Sequence, residues 1–258
     1  MADPREGVTS DGLIRTGARR DRVPSAFEPV LAYVLGRVPP EVSVHVYGSV
    51  ANGTATVPAS DVDLLTIGLP AAAASGLGAD ASAAFAELCR GVEIAAVSSD
   101  DYLGEGDEAY GNRVFLRHYC AHLAGPDPGA GLPGFRADAR AARGFNGDID
   151  RSLRRWRAAL GRDDAGDLSR RIARKSLLAV AGLVSVHDGT WTTDRSAAAA
   201  RWSEIEPSLA PGLARLESLS ETGGASEEET GTLLGAGGVI EHLTARFTTD
   251  IGLWDRKC

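Results

Sequence analysis

Two aspartates one residue apart, Asp61 and Asp63, follow a Gly48-Ser49 pair after a spacer of eleven residues. Before the glycine, Val42, Val44 and Val46 alternate with Ser43, His45 and Tyr47, which reads as a strand. After it, Val62, Leu64, Leu65 and Ile67 surround Asp63 in a second strand over 62–69. Side chains two apart on a strand share a face, so Asp61 and Asp63 project side by side. Adjacent carboxylates raise each other's pKa, a cost that a cation between them removes. Hard oxygen ligands suit Mg²⁺. Gly48 lets the backbone turn tightly off a buried strand. Ser49 can offer its hydroxyl and N–H to a phosphate, and a short helix starting at Val50 would add free N–H groups. A phosphate cradle followed by a metal-binding acid pair equips a protein for phosphoryl or nucleotidyl transfer. A third acid, Glu93, interrupts the apolar run Val92 to Val97. A carboxylate there is costly to bury unpaired. Beside Asp61 and Asp63 it can complete the metal site or take the proton of an attacking hydroxyl.

The elements that must carry these residues follow from periodicity. A capping box at Ser25 to Glu28 precedes apolar residues at helical spacing, which predicts a helix over 25–37. An alanine-rich helix is expected around 80–90 and a third strand over 92–97. Helix, strand, turn, strand, helix, strand describes a small mixed α/β domain. Beyond residue 107 the pattern is helical, with helices expected near 108–124, 136–143, 148–160, 167–187, 194–203, 207–219 and 226–254. The expected fold is therefore α+β, with a polar flexible tail over 1–22, a catalytic domain over 23–130 and an all-helical domain over 131–258. Within the 167–187 helix, Lys175 lies on the same line as Leu168, Ile172, Ala179 and Val186. It is one of only two lysines, with Lys257. A compact positive charge in an apolar stripe is either a snorkelling side chain or a contact to a triphosphate.

Composition narrows the class. The 258 residues are 43% hydrophobic and 24% charged, and carry a net charge of −8. An acidic chain makes nucleic acid a poor default partner and suits a small or cationic substrate. The arginine-rich segment 151–157 is the one feature favouring nucleic acid. Asp100, Asp101, Glu105, Asp107 and Glu108 follow the third strand and form a candidate acidic recruiting loop for a cationic acceptor. Cys89, Cys120 and Cys258 lack metal-ligand spacing. No apolar run is long enough for a membrane helix and no signal peptide is evident, so the expected location is cytoplasmic.

The segments YGSVANGTATVPASDVDLL and VEIAAV resemble the DNA polymerase β-like nucleotidyltransferase superfamily. The resemblance implies that Gly48 and Ser49 bind the triphosphate tail, that Asp61 and Asp63 bind Mg²⁺, and that Glu93 joins the metal or serves as base. It further implies two Mg²⁺ ions, ATP or another nucleoside triphosphate as donor, and transfer of a nucleoside monophosphate. Within that superfamily the chain looks most like antibiotic adenylyltransferases of the streptomycin/spectinomycin type, which join this domain to a helical one. This implies a hydroxyl-bearing small-molecule acceptor and a role in antibiotic resistance. Gly189-Thr190 and Thr193-Asp194 stand where that type carries Gly-Lys and Lys-Asp. Two other readings are a toxin-like transferase acting on tRNA or protein, and a non-catalytic nucleotide-binding module.

Overall fold

The computed structural model describes residues 3–255; Lys257 and Cys258 lie outside them. The chain divides into two compact units, one of residues 1–9, 13–105 and 112–135, the other of residues 10–12, 106–111 and 136–258.

The first unit holds the sheet. Strands β1 (Gly7–Val8) and β2 (Ile14–Arg15) form a small antiparallel hairpin. Helix α1 (Glu28–Leu35) precedes β3 (Ser43–Tyr47), the short α2 (Gly48–Asn52), β4 (Val62–Ile67), α3 (Ala71–Ala84), β5 (Val92–Val97) and α4 (Asp100–Leu103). The later turns of α5 (Asp107–Tyr119) and the strand β6 (Ala121–Ala124) complete the unit. The four-stranded sheet has the order β5-β4-β3-β6, with β4 and β5 parallel and both β3 pairings antiparallel.

Alternation along the strands splits two apolar clusters between the faces. Val46, Val62, Leu64 and Val92 pack with Phe27, Val30, Leu31 and Val34. Leu65 and Ile67 pack on the other side with Tyr102 and Leu116. Asp63 shares the face of Leu65 and Ile67, at the end of the strand where that cluster stops.

The helical unit contains α6 (Ala139–Asn146), α7 (Ile149–Ala159), α8 (Ala165–Asp188), α9 (Arg195–Ile205), α10 (Ala210–Thr222), α11 (Glu227–Leu234) and α12 (Val239–Asp250). The long α8 is its axis and packs against α6, α9, α10 and α12. Leu168, Ile172, Leu177, Val180 and Leu183 of α8 are buried with Trp202, Leu213, Leu216 and Phe247. Asp138, Asp164, Asp194 and Ser226 cap α6, α8, α9 and α11 by accepting backbone N–H bonds. Among the described residues no helix is long and apolar enough to cross a membrane.

Several elements differ from the sequence expectation. Residues 3–9 and 13–22, expected as part of a loose polar tail, belong to the sheet unit: Ile14 is buried and its N–H donates to the Phe135 carbonyl at 2.8 Å. The capping box at Ser25 does not form, because residues 25–27 make a 3₁₀ turn and the Glu28 carboxylate is taken by Arg20. The alanine-rich helix begins at Ala71, directly after Pro70, and ends at Ala84. The helix expected to reach residue 124 stops at Tyr119, and residues 121–124 pair with β3 instead. The expected 226–254 helix breaks into α11 and α12 around Gly235 to Gly238, where the backbone turns back on itself.

Candidate active site

Three rows of side chains cross the sheet on the face that carries Asp63. Ser43 aligns with Ile67 and Val97, His45 with Leu65 and Ala95, and Tyr47 with Asp63 and Glu93. The first two rows are covered. The third lies at the ends of the strands, where Asp63 is half-buried and Glu93 exposed. Asp61, two residues before Asp63, projects from the same edge and is also half-buried. The register of two parallel strands thus brings together the three acids that the sequence singled out.

Gly48 joins β3 to α2 directly opposite Asp63. Its φ is +67°, in the left-handed region. A Cβ placed there would lie 2.5 Å from Asp63 Oδ2. Only glycine provides both the turn and the space for that carboxylate. Ser49 is half-buried in the first turn of α2, where N–H groups have no acceptor within the helix. The other end of α2 is anchored: Ser49 O accepts from Thr54 and Ala55 N–H, and Asn52 Oδ1 accepts from the Thr54 N–H and hydroxyl. The turn is therefore placed by backbone bonds, and it starts two residues earlier than Val50.

Electrostatics mark the same spot. Burial, then the neighbouring Glu93 and Asp61 charges, push the Asp63 carboxyl up to about 6. Burial and the Asp63 and Glu93 carboxylates likewise push the Tyr47 phenol above its ordinary range. Sequence reasoning missed Arg90, whose guanidinium grips Asp61 through Nε to Oδ1 at 3.0 Å and Nη2 to Oδ2. It also missed Tyr47 as a wall of the site. Neither has a local signal, since both meet the acids only through strand register.

Among the described residues no three His, Cys, Asp or Glu side chains are gathered as a metal site. Asp61 is turned to Arg90 instead. The donor set nevertheless suits a hard divalent cation: three carboxylates share one sheet edge, and Asp63 is raised by burial and then by the other two. A positive charge there relieves a repulsion already present, and Arg90 supplies part of it.

Lys175, on α8, donates to the Phe145 carbonyl at 3.1 Å and pairs with Asp148 at 2.7 Å. It therefore does not simply snorkel. In the segment 151–157, Arg154 pairs with Asp150, Arg155 with Asp148 and Arg157 with Glu241, while Arg151 bonds the Asp255 carbonyl. The segment's charge is largely answered within the helical unit. The acids after β5 divide: Asp100 and Glu105 are exposed, Asp101 accepts from the Ser98 N–H, and Asp107 is buried against Arg143 at 2.6 Å.

No protein-family model matches the chain, and no curated protein matches it in sequence. Among solved structures it is similar to spectinomycin adenyltransferase AAD(9) from Enterococcus faecialis, a structure with ATP and spectinomycin. The TM-score is 0.51 at 12% identity, over 87% of this chain and 98% of that one. The likeness shows the fold: α+β, with a small mixed sheet followed by a helical part.

Proposed function

We propose that the protein is a nucleotidyltransferase that moves a nucleoside monophosphate, AMP from ATP by default, to a hydroxyl of a small-molecule acceptor. The observation that carries this reading is the juxtaposition of Gly48-Ser49 with a carboxylate row. Asp63 and Glu93 are register partners, Asp61 lies two residues upstream, and the Gly48 Cα leaves room only for the Asp63 carboxylate. The likeness in fold to an adenyltransferase supports the same reading.

Each residue has a distinct task. Asp61 and Asp63 would hold Mg²⁺, with Glu93 as a further oxygen ligand. When bound, the ion neutralises charge on the triphosphate and favours departure of pyrophosphate. Ser49 directs its hydroxyl and N–H, together with the free N–H groups of the α2 turn, at phosphate oxygens. Glu93, the most exposed of the three acids, takes the proton of the acceptor hydroxyl as its oxygen attacks the α-phosphorus in line. Lys175 remains a proposed phosphate contact, and it would have to loosen its pair with Asp148 to make one. A cationic acceptor would be drawn by the carboxylate edge and by the exposed Asp100 and Glu105. Because the 151–157 arginines are paired, no observation favours tRNA as the acceptor.

The test is incubation with ATP, Mg²⁺ and a fractionated metabolite extract, followed by mass spectrometry for products heavier by one AMP. An adduct formed by wild type and absent with Asp63→Asn supports the proposal. Absence of any adduct across small-molecule fractions counts against it.

A further inference from the structure

Arg90 sits outside every sequence motif, yet it makes the closest contact to the acid cluster. Both nitrogens of its fork are used, one on each oxygen of Asp61. The backbone fixes the pairing, since Arg90 N–H donates to the Ser60 carbonyl and Val62 N–H to the Gly91 carbonyl. Arg90 and Asp61 are thereby held side by side where β4 and β5 begin. The Arg90 side chain is 68% exposed, against 28% for Asp61, and has no other side-chain partner among the described residues. Among the described residues Asp61 alone hydrogen-bonds the guanidinium, while the Asp63 and Glu93 charges act on it from further off.

We propose that Arg90 is a built-in competitor for the divalent cation: it occupies both oxygens of Asp61 when no metal is bound and swings into solvent as the cation arrives. The inference rests on the reading of Asp61 as a metal ligand and adds what that ligand does beforehand. A guanidinium and a dication on one carboxylate repel each other at contact distance, so the two occupants exclude one another. The fork holds Asp61 along the sheet edge, and its positive charge offsets part of the carboxylate repulsion there. Exposure keeps the grip weak enough to be broken, because solvent-exposed pairs are individually worth little. Release costs no buried contact.

The experiment measures Mn²⁺ binding by electron paramagnetic resonance, without nucleotide, for wild type, Arg90→Gln, Arg90→Lys and Asp61→Asn. Arg90→Gln removes the competitor and is expected to bind Mn²⁺ about three- to five-fold more tightly, the range that an exposed ion pair allows. Arg90→Lys keeps the charge but loses the fork, so it is expected to fall between the two. In parallel, the Arg90 Nε–H resonance of wild type is expected to move toward that of a free arginine on addition of Mg²⁺. If Arg90→Lys binds like wild type while Arg90→Gln binds more tightly, the effect is one of distant charge, and competition at Asp61 is overturned. Weaker binding by Arg90→Gln would make Arg90 a support of the metal site and also overturn the proposal. If wild type binds no Mn²⁺, or Asp61→Asn binds equally well, the metal reading of Asp61 fails and the proposal falls with it. The Asp61→Asn arm separates that failure from the other two.

Discussion

Replacing Asp63 by asparagine keeps the side-chain shape and removes the charge that the structure places in a crowded site. The Asp63 carboxyl is pushed up to about 6 from an ordinary 3.8, first by burial and then by Glu93 and Asp61. Below pH 3.8 the folded and unfolded chains both hold this proton. Between pH 3.8 and about 6 the unfolded chain releases it while the folded chain keeps it. Above that window both are ionised and the fold bears the full penalty, so wild type loses stability as pH rises through the window. About two pH units at 1.36 kcal/mol each set a ceiling of about 3 kcal/mol. Asp63 is only half-buried, and solvent screening lowers the expectation to about 1–2 kcal/mol. Urea unfolding in EDTA, at about pH 4.5 and pH 7.5, measures this as a double difference in which other titrating groups cancel. Asp63→Asn should gain about 1–2 kcal/mol on wild type between the two pH values. Adding Mg²⁺ at the higher pH should stabilise wild type and leave the variant unchanged. A stability difference that does not vary with pH would refute the argument that Asp63 is held against its own charge.

Four further outcomes are expected. Gly48→Ala forces a side chain into the left-handed region and against Asp63 Oδ2; it should cost about 1–2 kcal/mol in urea unfolding and abolish transfer. Glu93→Gln should lower turnover far more than ATP affinity measured by calorimetry, because a proton acceptor acts in the transition state; equal losses would make Glu93 mainly a metal ligand. Lys175→Met should lower the melting temperature by leaving Asp148 without that partner, and Lys175→Met with Asp148→Asn should recover it; ATP affinity that stays low in the double variant identifies a contact to the triphosphate. Burial holds the His45 and His118 pKa values down to about 4, so the unfolded chain takes up protons at higher pH than the fold does. Stability should therefore fall as pH drops from about 6.5 to about 4, by up to about 3 kcal/mol per histidine, and His45→Gln should flatten its share in acid-unfolding curves.

The legible parts of this protein are those in which one residue's neighbours along the chain decide its place. Asp61, Asp63 and Glu93 could be placed at strand starts because Val62, Leu64 and Val92 show period two within a few residues. Likewise, α8 was readable from its long apolar stripe. The strand β6 was not: His118 to His122 continue the spacing of α5, and only pairing of Ala121, His122 and Ala124 with Val46, His45 and Val44 across the sheet makes residues 121–124 extended. The hairpin formed by β1 and β2 reads as polar because its place is set by distant residues: Ile14 is buried, and its N–H bonds the Phe135 carbonyl. The first half of α3, residues 71–77, is mostly alanine with Ser75 as its one polar residue, so periodicity passes over it. Arg90 is the clearest case at the site itself. Its link to Asp61 spans 29 positions and exists only in the β4–β5 register.

The proposed reaction transfers a nucleotidyl group rather than a phosphoryl group, and isotopic position separates the two. The protein is incubated with Mg²⁺ and an acceptor-containing extract, once with ATP labelled at the α-phosphate and once with ATP labelled at the γ-phosphate. Transfer of α-label to a small molecule, release of γ-label as pyrophosphate, and loss of both with Asp63→Asn are the predicted results. Transfer of γ-label to the acceptor, or α-label transfer that persists in Asp63→Asn, would contradict the account.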